Sequence, residues 1–222
     1  MSGTDGSILV VDAGTSSVRA AIVRPDGTVE HVCQQANPPS TPFPGLVELD
    51  AAAMAAIALD CARAALVAGG PVAAVGITNQ RSSTIVWDRA TGEPVAPGIG
   101  WQDLRTLGDC LVLQAEGFRL NPNQSATKLA NILDQVDPDR ARDLCFGTVD
   151  TWLAWQLSEG QAHIVDASNA HISGLADESG RAWDDAVLDR LRIPRSMLPT
   201  IVDSVGVAGE ASALPGSPPL AG

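Results

Sequence analysis

The sequence predicts an α/β domain with a mixed sheet, and three observations carry that prediction. Residues Ile8–Val23, read ILVVDAGTSSVRAAIV, hold two apolar strand-like runs separated by a turn of small polar residues. A third strand candidate follows at once, so the chain opens as an antiparallel meander. Beyond it, apolar strands alternate with helical stretches, the order that sets helices against the faces of a sheet.

Each element has a local reason. Ile8 to Val11 is β-branched at three of four positions and reads as a buried strand ending in Asp12. Residues 18–23 return as a second strand, closed by the turn signal Pro25-Asp26-Gly27, and a third spans about 28–35. Pro38, Pro39, Pro42 and Pro44 make 37–45 an ordered loop or extended crossing segment. Asp50 is a fitting N-cap for a helix over 51–67, which Gly69-Gly70 ends. Strands are expected at 72–78 and 84–87, the second running into a turn at 88–94 around Thr91-Gly92. Helices are expected at 102–115, 128–136, from Pro138 onward, at 148–157 and at 183–191. The tail from Ser212, with Pro215, Pro218 and Pro219, reads as irregular, and no internal repeat is evident.

Composition narrows the function. The 222 residues are 45% hydrophobic, enough for a sizeable core and against wholesale disorder. The formal net charge of −12, with Lys128 the single lysine, disfavours nucleic acid and anionic membranes as partners. Cys33, Cys61, Cys110 and Cys145 are far apart without a CxxC pair, so free thiols are expected, with Cys61 and Cys110 buried. The polar start argues against a signal peptide. The Ala-rich stretch 51–68, the nearest thing to a membrane span, is interrupted by Asp60 and Arg63. A cytoplasmic setting is the expectation.

The first turn carries the sharpest chemical signal. Ala13, Gly14, Thr15, Ser16 and Ser17 are small enough for main-chain N–H groups to approach an anion, and hydroxyls add donors. Asp12 beside them suits a magnesium ion, directly or through water. A hairpin whose Gly and Ser residues serve only the turn would give the same pattern. The chain has no GxxxxGK[ST] and no GxGxxG, so neither a P-loop nor a dinucleotide fingerprint is present. After the strand at 72–78, the polar run Thr78–Thr84 lies where open α/β sheets bind ligands. Arg81 there can donate to a hydroxyl-rich or anionic ligand, or serve as a loop arginine in a salt bridge. Trp101 in Trp101-Gln102-Asp103 offers a face for sugar C–H groups, or a core tryptophan. Asp150 or Thr148 reads as a helix cap. His163 and His171 flank Asp166 without metal-ligand spacing and read as a solvated face.

Taken together, five segments resemble one family. VVDAGTSSVRAAIV, GITNQRSSTIVWDRATGEP, IGWQD with Arg105, FGTVDTWLAWQLS, and DASNA with the later WDD and IPRSMLP occur in the order found in the FGGY carbohydrate kinases, over residues 8 to about 207. The resemblance is to the N-terminal domain of that family, and within it to the glycerol kinase branch. It implies a ribonuclease H-like, actin-like ATPase fold, normally one of two lobes around a cleft. It implies phosphoryl transfer from ATP, with Mg²⁺, to a polyol or sugar hydroxyl. Gly14, Thr15, Ser16, Ser17 and Arg19 would meet the nucleotide phosphates, and Asp12 would position Mg²⁺. Arg81, Ser82, Trp101 and Asn123 would line the acceptor site.

Three departures from the family pattern shape the expectations. Ser82 stands where the family has Glu after the arginine, and Asn123 where it has a substrate-contacting Tyr. Shorter side chains there leave room for a larger polyol or a ketose. The chain stops at Gly222, whereas the family continues with a Gly-Asp pair, whose Asp is the general base, and then a nucleotide-binding lobe. A catalytic residue is therefore expected beyond Gly222 and none within the chain, which is read as one lobe spanning residues 1–222 and inactive alone. A non-catalytic ligand- or partner-binding module is the alternative. A sheet lacking its last strand would leave an open edge, so homo-oligomer formation is also expected.

Overall fold

The computed structural model describes residues 6–222 of the chain; residues 1–5 of the polar start read against a signal peptide lie outside them. In chain order the strands and helices are β1 (Ile8–Ala13), β2 (Ser17–Val23), β3 (Val29–Ala36), β4 (Glu48–Leu49), α1 (Ala51–Gly69), β5 (Ala74–Asn79), β6 (Ile85–Asp88) and β7 (Gly98–Ile99). They continue with α2 (Leu107–Ala115), α3 (Ala126–Val136), β8 (Leu144–Gly147), α4 (Val149–Leu157), β9 (Ile164–Asp166), α5 (Ala167–Ile172), α6 (Asp185–Leu191), β10 (Thr200–Val202), β11 (Gly209–Glu210) and β12 (Pro219–Leu220).

The opening meander forms as the sequence predicts, with β1 antiparallel to β2 and β2 to β3. The main sheet runs β11-β12-β5-β1-β2-β3, and β5 lies parallel to β1. A parallel neighbour needs a long crossover, and α1 supplies it. Asp50 caps α1 by accepting from the Ala53 N–H at 2.8 Å. By length and composition α1 is apolar enough to cross a membrane, but Met54, Ala58, Cys61, Ala62 and Ala65 are buried in the core. Its apolarity serves packing on the sheet.

Three expectations change. No helix opens at Pro138: residues 138–139 form a turn, 140–143 are irregular, and Leu144–Gly147 is a strand, pairing antiparallel with β6. The helix expected from 102 begins at Leu107, because Asp103 locks residues 101–106 into an irregular loop. The tail is not wholly irregular, since Leu220 pairs with Val75 of β5 and Ala221 N–H donates to the Val75 carbonyl at 2.9 Å. That flank of the sheet is thus covered, and β3 is left as its outer strand on the other side.

The β6–β8 ribbon is a wall between two cores. Side chains alternate along a strand, so Ile85, Trp87 and Cys145 enter the core under the main sheet, while Val86, Leu144 and Phe146 enter a second core with α3 and α6. Gly147 makes the junction fit, because a Cβ there would lie 2.6 Å from Thr151 Cβ and 2.9 Å from the Trp87 ring. Gly147→Ala is expected to cost about 1–3 kcal/mol from overpacking. Urea unfolding of the variant checks this, and an unchanged midpoint would contradict it.

Candidate functional site

The site begins as a register. β1 and β5 are aligned so that Asp12 faces Thr78 and Ala13 faces Asn79. The turn after β1 and the polar run after β5 therefore leave the sheet side by side. Gln80 fastens them: its N–H donates to the Ala13 carbonyl at 2.8 Å and its side-chain amide to the Gly14 carbonyl at 3.3 Å.

The turn itself is open. Gly14 N–H donates to the Ser17 carbonyl at 3.0 Å, closing the bend. Among the described residues, the N–H groups of Thr15 and Ser16 have no acceptor within the chain, and Ser16 is exposed. Unpaired amides on a bend of small residues suit an anion. Asp12 and Arg19, given separate roles by the sequence reading, are partners across β1 and β2, with Arg19 Nε 2.8 Å from Asp12 Oδ2.

Arg81, Ser82, Trp101 and Asn123 converge with Ile172 on a cavity of about 180 Å³. Arg81 and Ser82, adjacent in sequence, are thus brought against Trp101 and Asn123 from other segments of the chain. Arg81 is not in a salt bridge among the described residues; its guanidinium donates to the Ser168 carbonyl at 2.7 Å and remains exposed. Ser82 is held at φ +63°, a left-handed conformation that costs a non-glycine residue of order 1 kcal/mol. Its carbonyl accepts from Ser125 Oγ at 3.1 Å. Trp101 is 40% exposed, a wall of the cavity rather than a core residue. Its indole N–H reaches Thr15 Oγ1 at 3.4 Å, joining this cavity to the turn.

The support under Trp101 was not legible in the sequence. Trp101 N–H donates to Ser83 Oγ at 3.2 Å, and Gly100 N–H to the Val47 carbonyl at 2.8 Å. Lys128, fully buried, donates to the Gly100 carbonyl at 2.7 Å. Burial pushes the Lys128 ammonium down to about 8, against the opposing pull of Asp103. Its position four residues before buried Ile132 on the amphipathic α3 was the available signal. Asp103 accepts from Val47 N–H at 2.6 Å and from the Arg105 guanidinium, while Arg105 also reaches Glu48 at 2.9 Å.

A second cavity, of about 290 Å³, lies beyond the carboxyl end of β5, with Arg81 shared between the two. Asp150 and Asp166 line it. Thr148, not Asp150, is the N-cap residue of α4, without a side-chain cap bond; Asp150 takes the Thr148 hydroxyl and the Asp166 N–H, the latter at 3.1 Å. Burial raises its pKa. Asp166 caps α5 through Asn169 N–H at 3.0 Å and takes the hydroxyls of Ser168 and Ser204. Burial pushes the Asp166 carboxyl up, and those hydrogen bonds outweigh it, leaving the pKa lowered. His163 is not on a solvated face. It packs against Trp87 and Trp155 at ring distances of 5.4 and 5.6 Å, and burial lowers its pKa.

Comparison with known proteins gives the same assignment from several directions. Residues 7–214 match the FGGY family of carbohydrate kinases, N-terminal domain. A glycerol kinase of Aromatoleum aromaticum is 43% identical over 235 residues, covering 97% of this chain and 47% of that protein. A glycerol kinase of Methylobacterium nodulans is 44% identical over 220 residues, covering 91% and 44%. The crystal structure of Plasmodium falciparum glycerol kinase with ADP superposes with a TM-score of 0.91 at 23% identity, covering 100% of this chain and 49% of that one. A xylulose kinase from Rhodospirillum rubrum superposes with a TM-score of 0.84 at 22% identity, covering 97% and 48%. The fold is therefore the actin-like ATPase fold that the family resemblance implies. The chain spans about half the length of the curated relatives it matches.

Proposed function

The chain belongs to the FGGY family of carbohydrate kinases, and from that premise we propose that it is the acceptor-binding lobe of an ATP-dependent polyol kinase. The observation that carries the reading is the contact between Trp101 and Thr15, 3.4 Å apart, which sets a cavity lined by Arg81, Ser82 and Asn123 against an open turn with unpaired amides. Phosphoryl transfer needs an acceptor hydroxyl beside the donor phosphates, with positioning and charge neutralisation as the main catalytic work.

In this reading Arg81 donates to acceptor hydroxyls, and the Trp101 face covers the carbon chain. Ser82 and Asn123 leave space for glycerol or a longer polyol or ketose. Gly14, Thr15, Ser16, Ser17 and Arg19 hold the nucleotide phosphates, and Asp12 holds Mg²⁺, directly or through water. The free Thr15 and Ser16 amides fit an anion, and the Asp12 carboxylate at the strand end fits a hard cation. ATP with Mg²⁺ supplies the transferable phosphoryl group. The general base comes from the half of the kinase that the relatives have and this chain does not span, so the 222 residues alone bind an acceptor without turning it over. The four free thiols suit a cytoplasmic setting.

Titration of the chain with glycerol, xylitol and xylulose, followed by tryptophan emission, tests this. A saturable change is expected for at least one of them, lost in Trp101→Phe. Arg81→Ala is expected to weaken that binding by about 10-fold or more, the loss of a charge-assisted hydrogen bond. No response to any of the three would overturn the acceptor site. Acceptor-dependent ADP formation by the chain alone would overturn the need for a second lobe.

A further inference from the structure

We propose that Cys33 and Cys61 form a redox modification site, which a hydroperoxide converts to a disulfide and a dithiol restores. The pair lies outside the cleft. Cys33 is on β3, the outer strand of the main sheet, and Cys61 is on α1 beneath it. Their sulfurs are 2.8 Å apart. A disulfide bond is about 2.05 Å long, so closure requires the sulfurs to approach by less than ~1 Å.

The surroundings favour this pair over the other thiols. Cys33 is half-buried and open to a small oxidant, whereas Cys61, Cys110 and Cys145 are buried. Cys110 has only Thr127 Oγ1 nearby, at 3.6 Å. The β2–β3 ladder is irregular just before Cys33: the register shifts between Ala20 and Ile22, and His31 sits at φ +52°. A bulge of this kind disrupts the ladder locally and bends the strand beside Cys33. Burial, with Cys33 as neighbour, pushes the Cys61 thiol up to about 12, so Cys33 is the sulfur that meets the oxidant first.

The chemistry balances in two steps. Cys33 thiolate attacks one peroxide oxygen; an S–O bond forms, the O–O bond breaks, and the departing oxygen leaves as water or an alcohol after taking a proton. Cys61 sulfur then attacks the sulfenic sulfur of Cys33. The S–S bond forms, the S–O bond breaks, and the Cys61 proton leaves with the oxygen as water. Two thiols lose two electrons and one hydroperoxide gains them. The resulting staple would tie α1 to the strand that backs the first turn, where Gln34 donates to Ser17 Oγ at 3.0 Å.

Treating the protein with hydrogen peroxide, then counting thiols in denaturant and mapping peptides by mass spectrometry, tests the site. The expected result is loss of two of the four thiols, one peptide pair joined through Cys33 and Cys61, and full recovery with dithiothreitol. Cys33→Ser, a conservative change at a half-exposed position, is expected to abolish the cross-link, and Cys61→Ala to do the same by removing the other partner. Cys145→Ser is expected to leave it intact. Four reactive thiols after oxidation, a cross-link between other cysteines, or Cys33 driven to sulfinic acid with Cys61 still reduced would each overturn the proposal.

Discussion

Replacing Asp103 with alanine is expected to cost about 3–5 kcal/mol of folding stability, the price of stripping a buried ion pair of one partner. The side chain is fully buried and accepts four hydrogen bonds, from Val47 N–H, Arg105 N–H and two guanidinium nitrogens of Arg105. Without it, the Val47 N–H is an orphan and Arg105, itself mostly buried, retains only Glu48. For a chain of this size the loss corresponds to a fall in Tm of about 10 °C. Asp103→Asn keeps the shape but not the charge, and is expected to lose roughly half as much. The segment released joins the end of the proline-rich crossing to the Trp101 loop, so acceptor binding falls with stability. Thermal and urea unfolding check the ranking; a loss below about 1 kcal/mol for the alanine variant would refute this account.

The second large effect is a pH dependence. Burial lowers the Lys128 ammonium from its usual 10.5 to about 8. Below about 8 both the folded and unfolded chain carry the proton, and the cost of burying the charge is fully present. Between about 8 and 10.5 only the unfolded state still binds it, so this group makes unfolding harder as pH rises. That fall in the Lys128 pKa corresponds to about 3 kcal/mol. Cys61 and Cys145, raised by burial to about 12, act in the opposite direction above about 9, since their folded forms hold protons that the unfolded chain releases. Lys128→Met isolates the lysine, because both thiols remain. The stability of the original chain relative to Lys128→Met is expected to rise by about 3 kcal/mol between about pH 8 and 10.5. Asp103, Arg105 and Cys110 are the groups acting electrostatically on Lys128, and all are kept in the variant. Parallel urea midpoints for the two proteins across that range would refute the assignment.

Much of the molecule was legible before its structure. Apolar, β-branched runs gave the meander, Asp50 and Gly69-Gly70 bracketed α1, and the small polar residues after β1 marked a turn. Those signals are local, set by propensity and turn chemistry within a few residues. β8 escaped notice because Leu144–Gly147 is only four residues, and the proline at 138 had suggested a helix start. β12 escaped because Pro219-Leu220 carries no strand pattern of its own, and becomes strand only through β5.

The residues around the site divide in the same way. By itself the sequence determined the family and the fold class, since the motifs that carry them are short and contiguous. Tertiary structure alone decided that Asp12 pairs with Arg19, that Trp101 meets Thr15, and that Asp103 and Lys128 hold the loop beneath it. It alone brought Cys33 against Cys61. Partners 86 residues apart, as Thr15 and Trp101 are, meet only when the sheet register is fixed. The protonation of a buried group likewise depends on which neighbours that register delivers, and short-range sequence patterns carry no record of either.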